Sequence, residues 1–229
     1  MLVQVINGKV ATMRKWMFWL LPIFGLLLAG CTVESFTADT LPWISDEQIL
    51  FADDFTHQTG GWRTYEDRLS FVGYIPDGFR LWVDLPDYQV WSRPGLNFKD
   101  SHIYTRVKKQ DGPNDNLIGV LCRFQDDGNY YAFVISSDGY YGIIKKQAGV
   151  QTLLGLEQMG YHEAIQHGDA VYDILVICQG DQLALFVNEV KLLQVSDETF
   201  AFGDVGLIAG NRAQPGVDVR FDYFIVIKP

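Results

Sequence analysis

The run Tyr172-Asp-Ile-Leu-Val-Ile-Cys178, Gln179-Gly-Asp-Gln182, Leu183-Ala-Leu-Phe-Val-Asn-Glu189 and Val190-Lys-Leu-Leu-Gln-Val195 decides the fold class of this chain. Three apolar runs, rich in Val, Ile, Leu and Phe, are separated by turn signals only a few residues long. That spacing suits strands and is too short for helices. Gly-Asp tolerates the positive φ of a tight hairpin, and at Asn188-Glu189 the asparagine accepts left-handed geometry. The segment reads as three strands joined by two hairpins.

The same pattern continues outward in both directions. Phe79-Arg-Leu-Trp-Val-Asp-Leu85 alternates, with Phe79, Leu81, Val83 and Leu85 on one face and Arg80, Trp82 and Asp84 on the other. His102 to Lys108 sets Ile103, Thr105 and Val107 against Tyr104 and Arg106. Residues 117–125, 130–136, 140–146, 205–209 and 217–227 are further strands, and Gln125-Asp-Asp-Gly-Asn129 and Ser137-Asp-Gly139 are turns between them. Only 157–167 has the composition for a turn or two of helix. Of the 28 acids, 21 are Asp and seven are Glu, a bias toward turns rather than helices. Short strands with regular turn punctuation predict an all-β sandwich or barrel, in one domain from about residue 49 to 229.

Ahead of that domain, Arg14-Lys15 precede the uncharged run Trp16 to Leu28. A bilayer span needs about 20 residues, whereas a secretory signal core of roughly 7 to 15 fits this run. Leu28-Ala29-Gly30-Cys31 resembles the lipobox of bacterial lipoproteins. The resemblance implies that residues 1–30 are a signal peptide, that Cys31 carries a diacylglyceryl group, and that the protein sits in the cell envelope. There it would be anchored on the outer side of the cytoplasmic membrane, or in the outer membrane of a two-membrane bacterium. An ordinary signal peptide ending by chance in Cys is the alternative. Met13, directly before Arg14, suits a start site better than Met1. Residues 31–48 read as a lipidated tether, polar and broken by Pro42.

Cleavage after residue 30 removes three cations and no acids, taking the net charge from −10 to −13. Such a balance argues against nucleic acid as a partner, because phosphates need Lys and Arg to replace their counterions. It also leaves membrane attachment to the lipid on Cys31, for which one acyl chain is marginal and two suffice.

The order of segments carries a second resemblance. Phe51-Ala-Asp-Asp-Phe55 and Gly60-Gly-Trp62 are followed by Gly119-Val-Leu-Cys-Arg-Phe124, Asn129-Tyr-Tyr-Ala-Phe133 and Asp138-Gly-Tyr-Tyr-Gly142. Leu183 to Glu189, Gly203-Asp-Val-Gly-Leu207 and Val219-Arg-Phe-Asp-Tyr-Phe224 complete the series. This order is similar to the concanavalin A-like jelly roll, in the branch that holds laminin-G-like domains and the 3-keto-disaccharide hydrolase family. It implies a β-sandwich of two antiparallel sheets across residues 49–229, with the first and last strands paired. Fold of this kind is hardly specific for function.

Glucanases of this fold carry a Glu-x-Asp-x-x-Glu strand whose alternation aims carboxylates into one cleft. No such strand occurs here, nor a Gly-x-Ser-x-Gly elbow, nor a His-Glu-x-x-His. Asp53, Asp54 and Asp222 would meet if the first and last strands pair, which makes a structural calcium the one candidate cofactor. Turn and edge roles are the alternative for these residues. Cys122 and Cys178 either pair as a disulfide or remain buried thiols. Aromatic and arginine side chains opposite the core side, or near turns, suit a sugar: Trp82, Trp91, Tyr104, Arg106, Arg123 and Tyr140. The expected function is a membrane-anchored, non-catalytic sandwich that binds a glycan or another surface ligand. A glycoside hydrolase resembling the 3-keto-disaccharide hydrolase family and a structural or protein-interaction module are the rivals.

Replacing Cys31 by Ser is expected to abolish metabolic labelling with palmitate and to leave unprocessed precursor; normal maturation of that variant would sink the lipid anchor.

Overall fold

The computed structural model describes residues 44–229. The signal-like run, Cys31 and most of the tether lie outside the described residues. A 3-10 turn at Asp46–Gln48 leads into β1 (Ile49–Asp53), β2 (Tyr65–Glu66), β3 (Ser70–Ile75), β4 (Gly78–Val83) and β5 (Gln89–Ser92). The long strands β6 (Ser101–Asp111) and β7 (Asn116–Asp126) come next, then β8 (Asn129–Ile135), β9 (Tyr140–Gln147), β10 (Val150–Leu153) and β11 (Gly160–Tyr161). The last five are β12 (Val171–Gln179), β13 (Gln182–Val187), β14 (Val190–Ser196), β15 (Asp204–Asn211) and β16 (Val217–Ile227).

These strands form two antiparallel sheets. The larger runs β14-β13-β12-β6-β16-β4-β3-β2, and the smaller runs β10-β9-β8-β7-β15-β5 with β11 beside β9. Strand β16 organises the larger sheet. One edge of it pairs with β6, while the other takes β4 along Val217 to Phe221 and β1 along Phe224 to Ile227. The first and last strands therefore do pair. The run 157–167 forms no helix among the described residues. Gly160 instead lies against the Tyr141 ring, where a Cβ would come within 2.4 Å, so its backbone closes on β9 as a strand.

Alternation places Phe79, Leu81, Val83, Ile103, Val107, Tyr172, Ile174 and Val176 from the larger sheet in the core. Ile118, Val120, Phe133, Ile143 and Leu207 face them from the smaller one. Fully burying a side chain of this size stabilises the fold by about 1.5–3 kcal/mol. Several register shifts interrupt the period, and those on β16 and β7 redirect candidate site residues. On β16 the register against β6 shifts between Phe221 and Tyr223. Phe221 and Phe224 both point inward, leaving Asp222 and Tyr223 outside. On β7 the register slips past Cys122, where Arg123 has φ 49°.

At the entry to the domain, Asp53 shapes the chain. Its Oδ1 accepts the Phe55 N–H at 2.7 Å and its Oδ2 accepts the Trp62 indole N–H at 3.0 Å. The first of these turns Phe55 into left-handed geometry, φ 61°, at a cost of about 1–2 kcal/mol. Burial of the Phe55 ring against Trp62 and Phe79, with centroids 5.4 and 5.2 Å away, offsets that cost. Burial also raises the Asp53 carboxyl above its ordinary range.

The packed domain begins earlier than residue 49. Ile44, assigned to the tether on sequence, is buried on the outer face of the larger sheet with Tyr223, Ile225 and Ile227. Gln48 O then accepts the Lys228 N–H at 2.8 Å, so both ends of the domain meet on that side.

Cys122 on β7 and Cys178 on β12 are joined by a disulfide, with Cα atoms 6.9 Å apart. The bridge links facing sheets across the core rather than neighbouring strands. Its partners are 56 residues apart in sequence. Replacing both by Ala is expected to lower the unfolding free energy by about 2–4 kcal/mol, read as a drop in the urea midpoint; an unchanged midpoint would contradict the bridge.

Candidate ligand-binding groove

The six ligand-binding residues proposed from sequence do not form one site. Trp82, Tyr104 and Arg106 lie on the outer face of the larger sheet, and that face satisfies itself. The Arg80 guanidinium sits 5.5 Å from the Phe71 ring and 5.9 Å from the Trp82 ring, and holds Asp218 through bonds of 2.9 and 2.7 Å. Arg106 grips Asp173 at 2.7 and 2.9 Å, and the carboxylate raises its pKa. Tyr104 packs against the Ile44 cluster.

Arg123 is not on a surface at all. Its left-handed backbone at the bulge turns the side chain inward, where it is 2% exposed. It donates to Lys99 O at 3.1 Å, Phe200 O at 2.8 Å and Asp100 Oδ1 at 3.3 Å. A second clasp secures the same loop. Lys145 Nζ meets Asp197 Oδ2 at 2.6 Å and Thr199 Oγ1 at 2.9 Å, and the Tyr131 hydroxyl donates to Asp197. Burial alone would raise the Asp197 carboxyl, but Lys145, Tyr131 and Thr199 together hold it well below the carboxylate range. Burial, and then the Asp197 bond, push Tyr131 up to about 12.

The aspartates proposed for calcium are also separate. Asp53 spends its carboxylate on Phe55 and Trp62 inside the fold. Asp54 accepts from the Thr56 N–H at 2.9 Å and its hydroxyl at 2.7 Å. Asp222, turned outward by the bulge, accepts from Arg220 Nε at 3.0 Å. Asp126, in the second oxygen-rich loop, caps Gly128 and Asn129. No cluster of three or more His, Cys, Asp or Glu placed for a metal occurs among the described residues.

The remaining two, Trp91 on β5 and Tyr140 on β9, share the outer face of the smaller sheet. Trp91 packs against an apolar layer of Leu121, Phe124, Tyr130, Val134 and Ile208. Tyr140 stands exposed at the edge, its ring 5.6 Å from that of Tyr161. Between them this face carries a groove of about 330 Å³. Leu117, Ile144, Leu153 and Met159 supply its apolar lining, and Gln89, Gln151 and Arg212 supply amide and guanidinium groups. Asn116 and Thr152 also border it, but the Asn116 amide is buried and spent on Pro113 O and Ser137, and Thr152 is in register with the inward Lys145. No carboxylate lines it. Gly119, Gly206 and Gly210 stand on outward positions of β7 and β15, where a Cβ would come within 2.0, 2.4 and 2.8 Å of the Phe133, Ser92 and Tyr88 carbonyl oxygens. Gly142 leaves room for Leu153, whose Cδ1 would lie 2.6 Å from a Cβ there.

Along one border of this face runs a stack. Arg93 lies 3.9 Å from the Phe124 ring centroid, Phe124 stacks on Tyr130 at 5.2 Å, and Lys146 lies 5.5 Å beyond. Arg93 is tied to Asp204 at 3.1 Å. Burial raises the Asp204 carboxyl, against N–H donors from Leu96, Val205 and Gly95. Burial likewise raises the Tyr130 hydroxyl.

This architecture is that of the concanavalin A-like jelly roll. The fold is similar to the carbohydrate-binding module CBM66 from Bacillus subtilis, with a TM-score of 0.56 and 14% identity over 70% of this chain and 91% of that one. It is similar to the GH43 protein BlXynB from Bacillus licheniformis, with a TM-score of 0.59 and 14% identity over 80% of this chain and 40% of that one. The Bacillus licheniformis β-glucanase matches at a TM-score of 0.58 and 10% identity, over 78% of this chain and 98% of that one. At these identities the likeness is one of fold. No protein-family model matches the chain, and no curated protein matches it in sequence. The structural neighbours are thus carbohydrate-binding and glycoside hydrolase sandwiches, while the 3-keto-disaccharide hydrolase resemblance rests on segment order alone.

Sequence reasoning missed the groove because its residues come from six separate segments. Outward-facing strand glycines at 119, 142, 206 and 210 were the available signal, since a strand glycine often marks close approach or a lowered surface. Replacing Arg123 by Met is expected to strip Lys99 O and Phe200 O of their donor, to leave Asp100 with the Gly180 N–H alone, and to destabilise the domain by about 3–5 kcal/mol. Chemical denaturation reads this, and a loss below 1 kcal/mol would refute the clasp.

Proposed function

We propose that this chain is a carbohydrate-binding β-sandwich that grips a glycan in the groove of the smaller sheet and is held at the cell envelope by lipid on Cys31. The groove's lining carries the reading. Aliphatic and thioether groups suit the C–H faces of a sugar, and Gln89, Gln151 and Arg212 suit its hydroxyls. Fold kinship with carbohydrate-binding and glycan-cleaving sandwiches supports it. Binding is favoured over cleavage because glycoside hydrolysis generally needs two carboxyl groups flanking the scissile bond, and no acidic side chain lines this groove.

The anchor rests on the sequence Leu28-Ala29-Gly30-Cys31. Chain arriving at Ile44 arrives on the outer face of the larger sheet, the side of the sandwich opposite the groove.

Glycan-array binding by the full chain in detergent is expected, with Gln151→Ala and Leu117→Arg each weakening it at least tenfold. Trp82→Ala and Tyr104→Ala, on the other sheet, are expected to change affinity less than twofold. Loss of binding in Trp82→Ala with retention in the groove variants would move the site to the larger sheet, and turnover of a bound glycan would replace binding by hydrolysis.

A further inference from the structure

Lys145 and Lys146 are neighbours on β9 with opposite surroundings. Lys145 points inward and is paired with Asp197. Lys146 points to the outer face, directly across from Tyr130 on β8 and from Gln151 on β10. It makes no ion pair among the described residues, and its ammonium rests 5.5 Å from the Tyr130 ring centroid. Two residues along, Ile144 and Leu153 are the next cross-strand pair and line the groove. The Tyr130 hydroxyl is buried beneath this point, near Gln151 without reaching hydrogen-bond geometry. Arg212 stands at the other end, 3.6 Å from Asp115 and largely exposed.

The groove thus departs from the acidic balance of the molecule through Lys146 on its border, since Arg212 is matched by Asp115 and Asp127 acts on Tyr130 from the turn beyond. The chain holds 28 acids against 18 Lys and Arg, yet its lining contains a cation, amides and no carboxylate, with a second cation on its border. A neutral sugar offers Lys146 nothing that water does not, and covering an unpaired ammonium with it costs hydration. An anionic group placed there gains a charge-assisted contact. Repulsion from the acidic remainder of the surface is screened beyond about 10 Å at 0.1 M salt.

We infer that the groove selects an anionic glycan, whose uronate carboxylate or sulfate ester is seated by the Lys146 ammonium and the Gln151 amide. This rests on the groove being the glycan site. The sugar rings lie along Leu117, Ile144 and Leu153, with Arg212 meeting a further hydroxyl or acid group.

Calorimetric titration of the full chain tests it, with oligogalacturonate against its methyl ester, and sulfated against unsulfated dextran oligosaccharide. The acidic member of at least one pair is expected to bind tenfold or more tightly, a preference that shrinks toward 1 M salt. Lys146→Met is expected to abolish the preference and Lys146→Arg to keep it. A preference confined to one pair identifies carboxylate or sulfate as the source. Equal binding of acidic and neutral members, or a preference that survives Lys146→Met, overturns this inference and leaves the glycan groove standing. Binding of no oligosaccharide in either pair, with none on a broader glycan array, overturns both.

Discussion

The backbone ladder along Val217–Ile227 holds the larger sheet together. It pairs with β6 on one edge and with β4 and then β1 on the other. Without it, the other eight strands of the sheet fall into two groups, β14-β13-β12-β6 and β4-β3-β2, with β1 unattached. Each group would expose a row of unpaired N–H and C=O groups. Those at the centre of the sheet lie over buried apolar side chains, where an unmade hydrogen bond costs about 1–3 kcal/mol. The last strand made is therefore the one on which the first four depend, which makes the fold strongly non-local.

Around this ladder the two sheets meet solvent differently. The larger sheet presents arginines in bidentate contact with aspartates, Arg80 with Asp218 and Arg106 with Asp173, and a patch covered by Ile44. Its polar groups find partners within the same face and leave little for a ligand to gain. At its groove the smaller sheet presents amides, with an ammonium on the border and no carboxylate in the lining. A difference in self-satisfaction, rather than in aromatic content, separates the faces. Trp82 shows this, since an outward tryptophan on a strand looks like a sugar platform until Arg80 is found against it.

The buried clasps at Arg123 and Lys145 belong to the scaffold rather than the groove. Both reach the loop between β14 and β15, by way of Phe200 O, Asp197 and Thr199. Breaking a buried, hydrogen-bonded charge is costly because the partner is left uncompensated. In that way these two cations fix the end of the sandwich while the groove lies on its face. Arg123 had been assigned to ligand binding because strict alternation puts it opposite Cys122. One extra residue at the bulge reverses that assignment, and no propensity in Cys122-Arg123-Phe124 announces it.

The pairing of first and last strands followed from the jelly-roll resemblance, and β2, β3, β5, β10 and β11 went unread; the longer strands and the all-β class were legible in sequence. They depend on short-range effects: period-2 burial, β-branched and aromatic enrichment, and turns at Gly, Asp and Asn. The lipobox-like Leu28-Ala29-Gly30-Cys31 is equally local and is read in the linear chain. Alternation tells the two sides of one strand apart and nothing more. It cannot say which sheet the strand joins, so Trp82 and Trp91 looked equivalent. It cannot register a bulge, so Asp222 was expected beside Asp53. The cross-core bridge of Cys122 and Cys178, and a groove drawn from β5, β7, β9, β10 and the loops at Met159 and Arg212, were decided only by tertiary structure. Their positions follow from how two sheets stack, and that is a property of long-range contacts.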